Sequence, residues 1–180
     1  DAYPQLPKIP VQHHHAHLAS VLAEHCCAEK AIGLIYDGTG YGTDGKLWGG
    51  EVLVGDSYSF QRAAHLLYAP LPGGEKAIKE PWRTALGYLS MIYDTDTIEK
   101  IAPTGLLAHN WQVLLQAASS GFNAPFTSGM GRLFDAVAAL AGIGRIVDYD
   151  GQAAIALEQL LDRTEKGSYD ISITAEDDGY

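Results

Sequence analysis

Cysteine is almost absent from this chain of 180 residues: there are two, Cys26 and Cys27, side by side. Adjacent cysteines rarely bridge each other and cannot build a disulfide framework, which fits a reducing, cytoplasmic setting. They also lack the CxxC spacing of a structural zinc site. No apolar run approaches the roughly 18 residues that span a bilayer, so no membrane segment is expected. The opening stretch, DAYPQLPKIP, has no basic segment followed by an apolar one, so no secretory leader is visible. Positive charge is scarce, with 12 Lys and Arg against 22 Asp and Glu, for a net charge of −10. Neutralising a phosphate backbone needs Lys and Arg, so no nucleic-acid partner is expected. Internal repeats and low-complexity segments are missing too. What is present is an ordinary globular balance, 47% hydrophobic and 19% charged, enough to bury a sizeable core.

The chain changes character along its length. Residues 1–12 read as an extended lead-in, because Pro4, Pro7 and Pro10 block a helix. From His13 to about Cys27 the composition predicts a helix, without Gly or Pro. Ala31 to Tyr36 is a short apolar run and reads as a buried strand. Residues 37–50, DGTGYGTDGKLWGG, contain six glycines and read as loop or tight turn. Glu51 to Val54 and Phe60 to Leu67 read as further strands. In the second half the spacing predicts helices over Glu80 to Tyr93, Leu106 to Ser119, Gly129 to Ala141 and Gln152 to Leu161. The apolar stripe of the third of these is Leu133, Val137 and Leu140. Ser168 to Thr174 reads as a last strand, before the polar tail TAEDDGY. Strands followed by helices imply an α/β or α+β arrangement.

Four segments carry chemistry. In VQHHHAHLAS, His13 and His17 are four residues apart, which on a helix sets both imidazoles on one face, able to share a divalent metal. His14 and His15 would then point elsewhere. The alternative is a surface cluster or a tag remnant. The break at Ala16 and the continuation into an apolar helix argue against a tag. Asp37 closes the strand and opens the glycine-rich segment, where a carboxylate can ligate a cation and the following N–H groups can cradle phosphate; a plain Asp-Gly turn is the alternative. In LPGGEKAIKEPWR, Lys76, Lys79 and Arg83 place three of the chain's 12 cations beside Gly73 and Gly74. They suit a phosphate or carboxylate, or else are solvated. Pro81 is suited to the first turn of a helix. Finally, TSGMGRLFDAV is a glycine-rich start of a helix, suited to an anion or nucleotide. It could equally be an amphipathic helix capped by Ser128, with Arg132 and Asp135 paired across one turn.

Taken in order, VQHHHAHLAS, YDGTGYGTDGKLWGGE, LPGGEKAIKEPWRTALGYL and SGMGRLFDAVAALAGI resemble the signature segments of the HypF transferase domain. HypF proteins are the carbamoyltransferases that help make the cyanide ligands of NiFe-hydrogenases. The resemblance covers roughly residues 9–160. It implies an α/β fold, part of a duplicated actin-like ATPase fold, with a β-hairpin sheet followed by helices. It implies a metal held by His13, His17 and Asp37: zinc or iron, with magnesium as a further candidate. It puts nucleotide contacts at Ser128, Gly131 and Asp135, and at Gly151 and Gln152. ATP and carbamoyl adenylate are the implied nucleotide substrates. In the family, carbamoyl phosphate and ATP yield carbamoyl adenylate in a neighbouring domain. The transferase domain then passes the carbamoyl group to the C-terminal cysteine thiolate of HypE.

On this reading residues 1–180 are part of a transferase domain, with the adenylate-forming domain and a downstream phosphate loop outside the chain. The isolated chain is then expected to be inactive by itself. Asp37 acts at the metal, Lys76 and Arg83 face the substrate, and the backbone of Gly38, Thr39 and Gly40 helps hold the anion. The nucleophile is the acceptor's thiolate, which leaves Cys26 and Cys27 as ordinary helix residues. Two other functions compete: a tRNA threonylcarbamoyladenosine-forming relative, and an actin-like ATP-binding module without catalysis.

Overall fold

The computed structural model describes residues 3–107 and 110–175. A short helix, α1 (His13–Glu24), follows the extended lead-in and is capped by Gln12, whose side chain accepts the His15 N–H. Two long strands come next, β1 (Ala31–Tyr41) and β2 (Leu47–Gly55), then β3 (Phe60–His65) and the short β4 (Ala69–Pro70). The second half is helical: α2 (Lys76–Lys79), α3 (Pro81–Ser90), α4 (Thr95–Ile101) and α5 (Trp111–Ser120). After these come the short β5 (Phe126–Thr127), α6 (Met130–Leu140) and α7 (Gln152–Glu158). Strands β1, β2, β5 and β4 lie in that order in one sheet, and β3 also pairs with β2.

The expected arrangement, a hairpin sheet followed by helices, is therefore present, with informative departures. The glycine-rich residues 37–50 are mostly strand. β1 runs on to Tyr41, β2 begins at Leu47, and Gly40 pairs with Trp48. The register slips between Tyr36 and Gly40, a bulge that frees Asp37 to Thr39 from the ladder. The glycines are there because backbones approach closely. A Cβ added at Gly129 would sit 2.5 Å from the Gly38 carbonyl oxygen. α1 ends at Glu24, so Cys26, with φ of 50°, and Cys27 lie past the helix rather than in it. Residues 168–175 form no strand: Tyr169, Ile171 and Ile173 alternate as a strand would but stand exposed, paired with none of the described strands. The predicted helix from Leu106 begins instead at Trp111; residues 108 and 109 within it, and 176–180 of the tail, lie outside the described residues.

Two apolar clusters position the site. On one side of the sheet, Leu18 and Leu22 of α1 pack on Leu53, with Ile35 and Phe60 beside them. That contact holds the histidine-bearing helix against β1 and β2. The larger cluster is helical, built from Trp82, Leu86, Leu89, Ile98, Trp111, Leu114 and Ala139. Removing a fully buried side chain such as Leu86 would cost about 2–5 kcal/mol. Helix α6 does not bury the stripe that periodicity suggested, since Val137 is exposed. It turns Arg132, Asp135, Ala136 and Ala139 inward. Small alanines let it approach α3 closely, and the buried ion pair occupies the turn nearest the sheet.

Candidate metal centre

Three side chains converge where α1 meets the β1 bulge. His13 Nε2 lies 2.8 Å from Asp37 Oδ2, His17 Nε2 lies 3.2 Å from His13 Nε2, and His17 Nε2 lies 3.7 Å from the same carboxylate oxygen. One donor atom from each falls within 4.8 Å of the others. Metal bonds of about 2.0–2.1 Å at a tetrahedral angle separate neighbouring ligands by roughly 3.3 Å. The observed separations bracket that value, so the donor set fits a divalent ion such as zinc. The helix supplies the two imidazoles one turn apart, and the bulge supplies the carboxylate.

Asp37 is held from its own backbone as well, since the Gly38 N–H donates to Oδ1 at 2.6 Å. Partial burial alone would raise its pKa, but the hydrogen bonds from His13 and Gly38 prevail and keep it below the usual carboxylate range. A negative carboxylate is thus present at neutral pH. With the Gly38 N–H used in this way and Gly40 in the strand, the backbone of Gly38 to Gly40 serves first to aim the carboxylate. Thr39 Oγ1 donates to the Gly38 carbonyl at 2.6 Å. Gly40 has a further role: a Cβ there would lie 2.5 Å from both His13 Cδ2 and His14 Cε1, so only glycine leaves room for the two rings.

The remaining histidines divide. His15 points away, as expected, with Nε2 2.8 Å from the Asp56 carbonyl and its ring against Phe60. His14 does not. It is fully buried, beside Trp48, with Nε2 3.8 Å from Asp37 Oδ2. Burial is the chief cause of its lowered pKa, so it is neutral at physiological pH. No signal in the sequence pointed to it. One residue past His13 on a helix is a turn of about 100°, and only the wrap of β1 brings site atoms to that side.

The helix start at α6 abuts the bulge from below. A Cβ on Gly131 would meet Gly38 Cα at 2.8 Å. Ser128 does not cap the helix; the N-cap residue is Gly129. Ser128 instead donates its hydroxyl proton to buried Glu51 at 2.5 Å. Glu51 also accepts from Gly49, Gly50 and Arg62, whose guanidinium stacks on Trp48. Arg132 and Asp135 do pair, 3.2 Å apart, and Arg132 binds Asp150 on the way into α7. Next in sequence, Gly151 takes the left-handed conformation that Asp150 and Gln152 flank, and Gln152 accepts the Asp148 N–H at 2.7 Å. Burial pushes the Asp135 carboxyl up to about 6, against the pull of Arg132 and with help from Asp150. Among the described residues, the buried polar side-chain atoms without a hydrogen-bond partner are His14 Nε2, Arg132 Nε and Nη1, and Asp135 Oδ2. Such groups are costly to leave unsatisfied, and they flank the bulge.

Lys76 and Arg83 go elsewhere for their partner. Both bind Glu80, Lys76 at 3.3 Å and Arg83 at 2.5 Å, and Arg83 is buried over Trp82. Among the described residues no helix is long and apolar enough to cross a membrane.

A mixed α/β frame with a His–His–carboxylate cluster beside its sheet is the arrangement that the family matches place among Kae1-like domains. Residues 33–179 match the family described as the carbamoyltransferase, Kae1-like domain, second subdomain, and residues 1–24 match the HypF Kae1-like domain. The chain belongs to the HypF carbamoyltransferase family. It is 43% identical to the carbamoyltransferase HypF of Rhizobium leguminosarum bv. viciae, over 92% of this chain and 22% of that protein. It is 45% identical to carbamoyltransferase HypF2 of Cupriavidus necator, over 87% of this chain and 19% of that one. The crystal structure of full-length HypF in its phosphate- and nucleotide-bound form superposes with a TM-score of 0.88 at 48% identity, covering 96% of this chain and 22% of that one. T. kodakarensis HypF gives 0.76 at 39% identity, over 86% and 21%. The chain thus spans about a fifth of the length of these relatives.

Proposed function

We propose that this chain forms the metal-bearing part of a carbamoyltransferase site that moves a carbamoyl group from carbamoyl adenylate to the C-terminal cysteine of HypE, for cyanide-ligand synthesis in NiFe-hydrogenase maturation. The observation that carries the proposal is the convergence of His13, His17 and Asp37 within ligand distance in a chain of the HypF family. With an ion in place, His13 and His17 would turn Nε2 lone pairs to it, and Asp37, aimed by the Gly38 N–H on its other oxygen, would add a charged ligand. A zinc or iron ion bound there supplies Lewis acidity toward the carbamoyl carbonyl. The acceptor thiolate attacks the carbamoyl carbon, the carbon–oxygen bond to the phosphate breaks, and AMP leaves with that bond's electron pair. On this reading the nucleophile belongs to the acceptor, and Cys26 and Cys27, which lie past the end of α1, are not needed for the step.

Asp135, Gly151 and Gln152 are assigned to the nucleotide, supported by Arg132 Nε and Nη1, buried beside Asp135 without a hydrogen-bond partner, and by the relative crystallised with nucleotide bound. Ser128 and Gly131 are assigned to the nucleotide on the sequence resemblance alone, since the Ser128 hydroxyl is bound to Glu51 and Gly131 packs on Gly38. For Lys76 and Arg83 as substrate contacts, the support is the sequence resemblance alone, since both are paired with the one carboxylate of Glu80.

The test uses the complete protein that contains this chain. Purified with zinc or iron, it should transfer one carbamoyl group to HypE, read by mass spectrometry, given carbamoyl phosphate and ATP. His17→Ala and Asp37→Ala should lose both metal and transfer. Undiminished transfer by metal-free variants would overturn the proposal.

A further inference from the structure

His14 is a buried imidazole in contact with the metal-type cluster, and its Nε2 has no hydrogen-bond partner. Which ring nitrogen carries the proton decides what it can do: a lone pair would make it a further ligand, and an N–H would make it a donor. Gln12 answers this. Its Oε1 accepts the His15 backbone N–H at 2.7 Å, and its Nε2 donates to the Tyr41 backbone carbonyl at 3.0 Å. A backbone N–H can only donate and a carbonyl can only accept, so the amide orientation is set. The second Nε2 proton of Gln12 faces His14 Nδ1 at 3.1 Å. Nδ1 must therefore be the acceptor, and the ring proton sits on Nε2.

That proton has no acceptor among the described protein atoms. The nearest carboxylate oxygen, Asp37 Oδ2, is 3.8 Å away, too far for a hydrogen bond, and it is already approached by His13 and His17. The ring cannot swing off to find another, since it is wedged between Trp48 and His13 and closed in by the backbone at Gly40. A buried donor left this way costs about 1–3 kcal/mol. It is offset when something with an oxygen occupies the gap.

We infer that His14 is the hydrogen-bond donor of the metal centre and not a fourth protein ligand: Gln12 locks it as the Nε2–H tautomer, and its proton is given to an anionic oxygen bound at the ion. The inference rests on the metal reading of His13, His17 and Asp37. It adds a division of labour among His13, His14, His15 and His17 that spacing could not supply. The same orientation keeps the His14 lone pair from competing for the ion.

The test has three arms on the full chain. Nitrogen-15 correlation spectra of the imidazoles, without metal and with zinc, should show His14 protonated at Nε2 in both states, and His13 and His17 protonated at Nδ1 once zinc is bound. A deprotonated Nε2 on His14 in the zinc form would overturn the inference. Second, cobalt-loaded protein is titrated with inorganic phosphate and read by its visible spectrum. His14→Leu should lose roughly tenfold in phosphate affinity, while His14→Gln, which keeps an N–H near the same place, should stay within about threefold. Equal affinities for parent and His14→Leu would make His14 structural and sink the idea. Cobalt binding and a thermal melt on each variant separate misfolding from the loss of a donor. Third, Gln12→Glu turns the partner of Nδ1 into an acceptor. It should move the His14 proton to Nδ1 and weaken phosphate binding with the fold intact; an unmoved proton would count against the lock. If the parent takes up no zinc or cobalt, the metal reading itself fails, and the spectra of the metal-free chain then show separately whether Gln12 sets the tautomer.

Discussion

Asp37 Oδ2 lies 2.8 Å from His13 Nε2, although one sits in a strand bulge and the other in the first turn of a helix. This contact closes the metal-type cluster. The carboxylate and the imidazole bind each other directly, and an ion held there would replace that hydrogen bond with two bonds of its own. Asp37→Asn keeps the shape and removes the charge. It should lower zinc affinity on the order of 100-fold, at or beyond the upper end of what losing a supporting contact costs. Calorimetric zinc titration checks it.

Gly40 is predicted to be intolerant of a side chain for a local reason. Gly40→Ala puts a methyl 2.5 Å from His13 Cδ2 and His14 Cε1, so one or both rings must move. Zinc affinity should drop by about tenfold or more, with a smaller change in thermal stability, because the displaced atoms are at the site and not in the main apolar clusters. Parallel zinc titration and thermal melts separate the two effects. An unchanged affinity would show that the rings have room to spare.

Glu51 is fully buried and depends on Arg62 for its opposite charge, at 2.6 Å. Arg62→Ala should destabilise the chain by about 3 kcal/mol, because the carboxylate is left buried with only neutral donors. Arg62→Lys should recover less than half of that, since an ammonium cannot reproduce the planar stacking on Trp48 and Tyr68. Urea denaturation of the three proteins measures it.

Asp135 makes stability depend on pH with a defined sign. Its carboxyl is raised from the usual 3.8 to about 6 in the folded chain. Below the unfolded value both states are protonated, and above the folded value both are ionised. Between them the folded chain holds a proton that the unfolded chain has released, so stability falls as pH rises from about 4 to about 6. The contribution is at most about 3 kcal/mol for two pKa units. Asp135→Asn should remove this slope. Urea midpoints at several pH values across that window test it, and an unchanged slope would assign the dependence to another group.

Much of this was legible in the residues. Helix α1, the strand after it and most of the later helices follow from periodicity and from where proline and glycine fall, although that strand is not buried as its apolar run suggested: Ile32, Leu34 and Tyr36 are exposed. The i, i+4 spacing of His13 and His17 is a property of any helix, so their shared face needed no tertiary information. Asp37 stood out because it ends an apolar run. What the sequence could not decide lies where the backbone departs from a repeating pattern. Glycine content suggested a loop over residues 37–50, because glycine tolerates turns; the structure uses those glycines for close backbone approach inside two paired strands.

The same distinction separates the ligands from their surroundings. By itself the sequence determined the helix that carries the histidines, since helix geometry is local and repeats every 3.6 residues. Only the tertiary structure decided that His14 turns into the site while His15 turns out, and that Gln12 holds His14 by one nitrogen. It also decided that Ser128 serves Glu51 and that Arg83 serves Glu80. Each of those choices depends on which polar groups remain without water when distant segments close over them, and that is set by packing between elements and not by the order of residues within one.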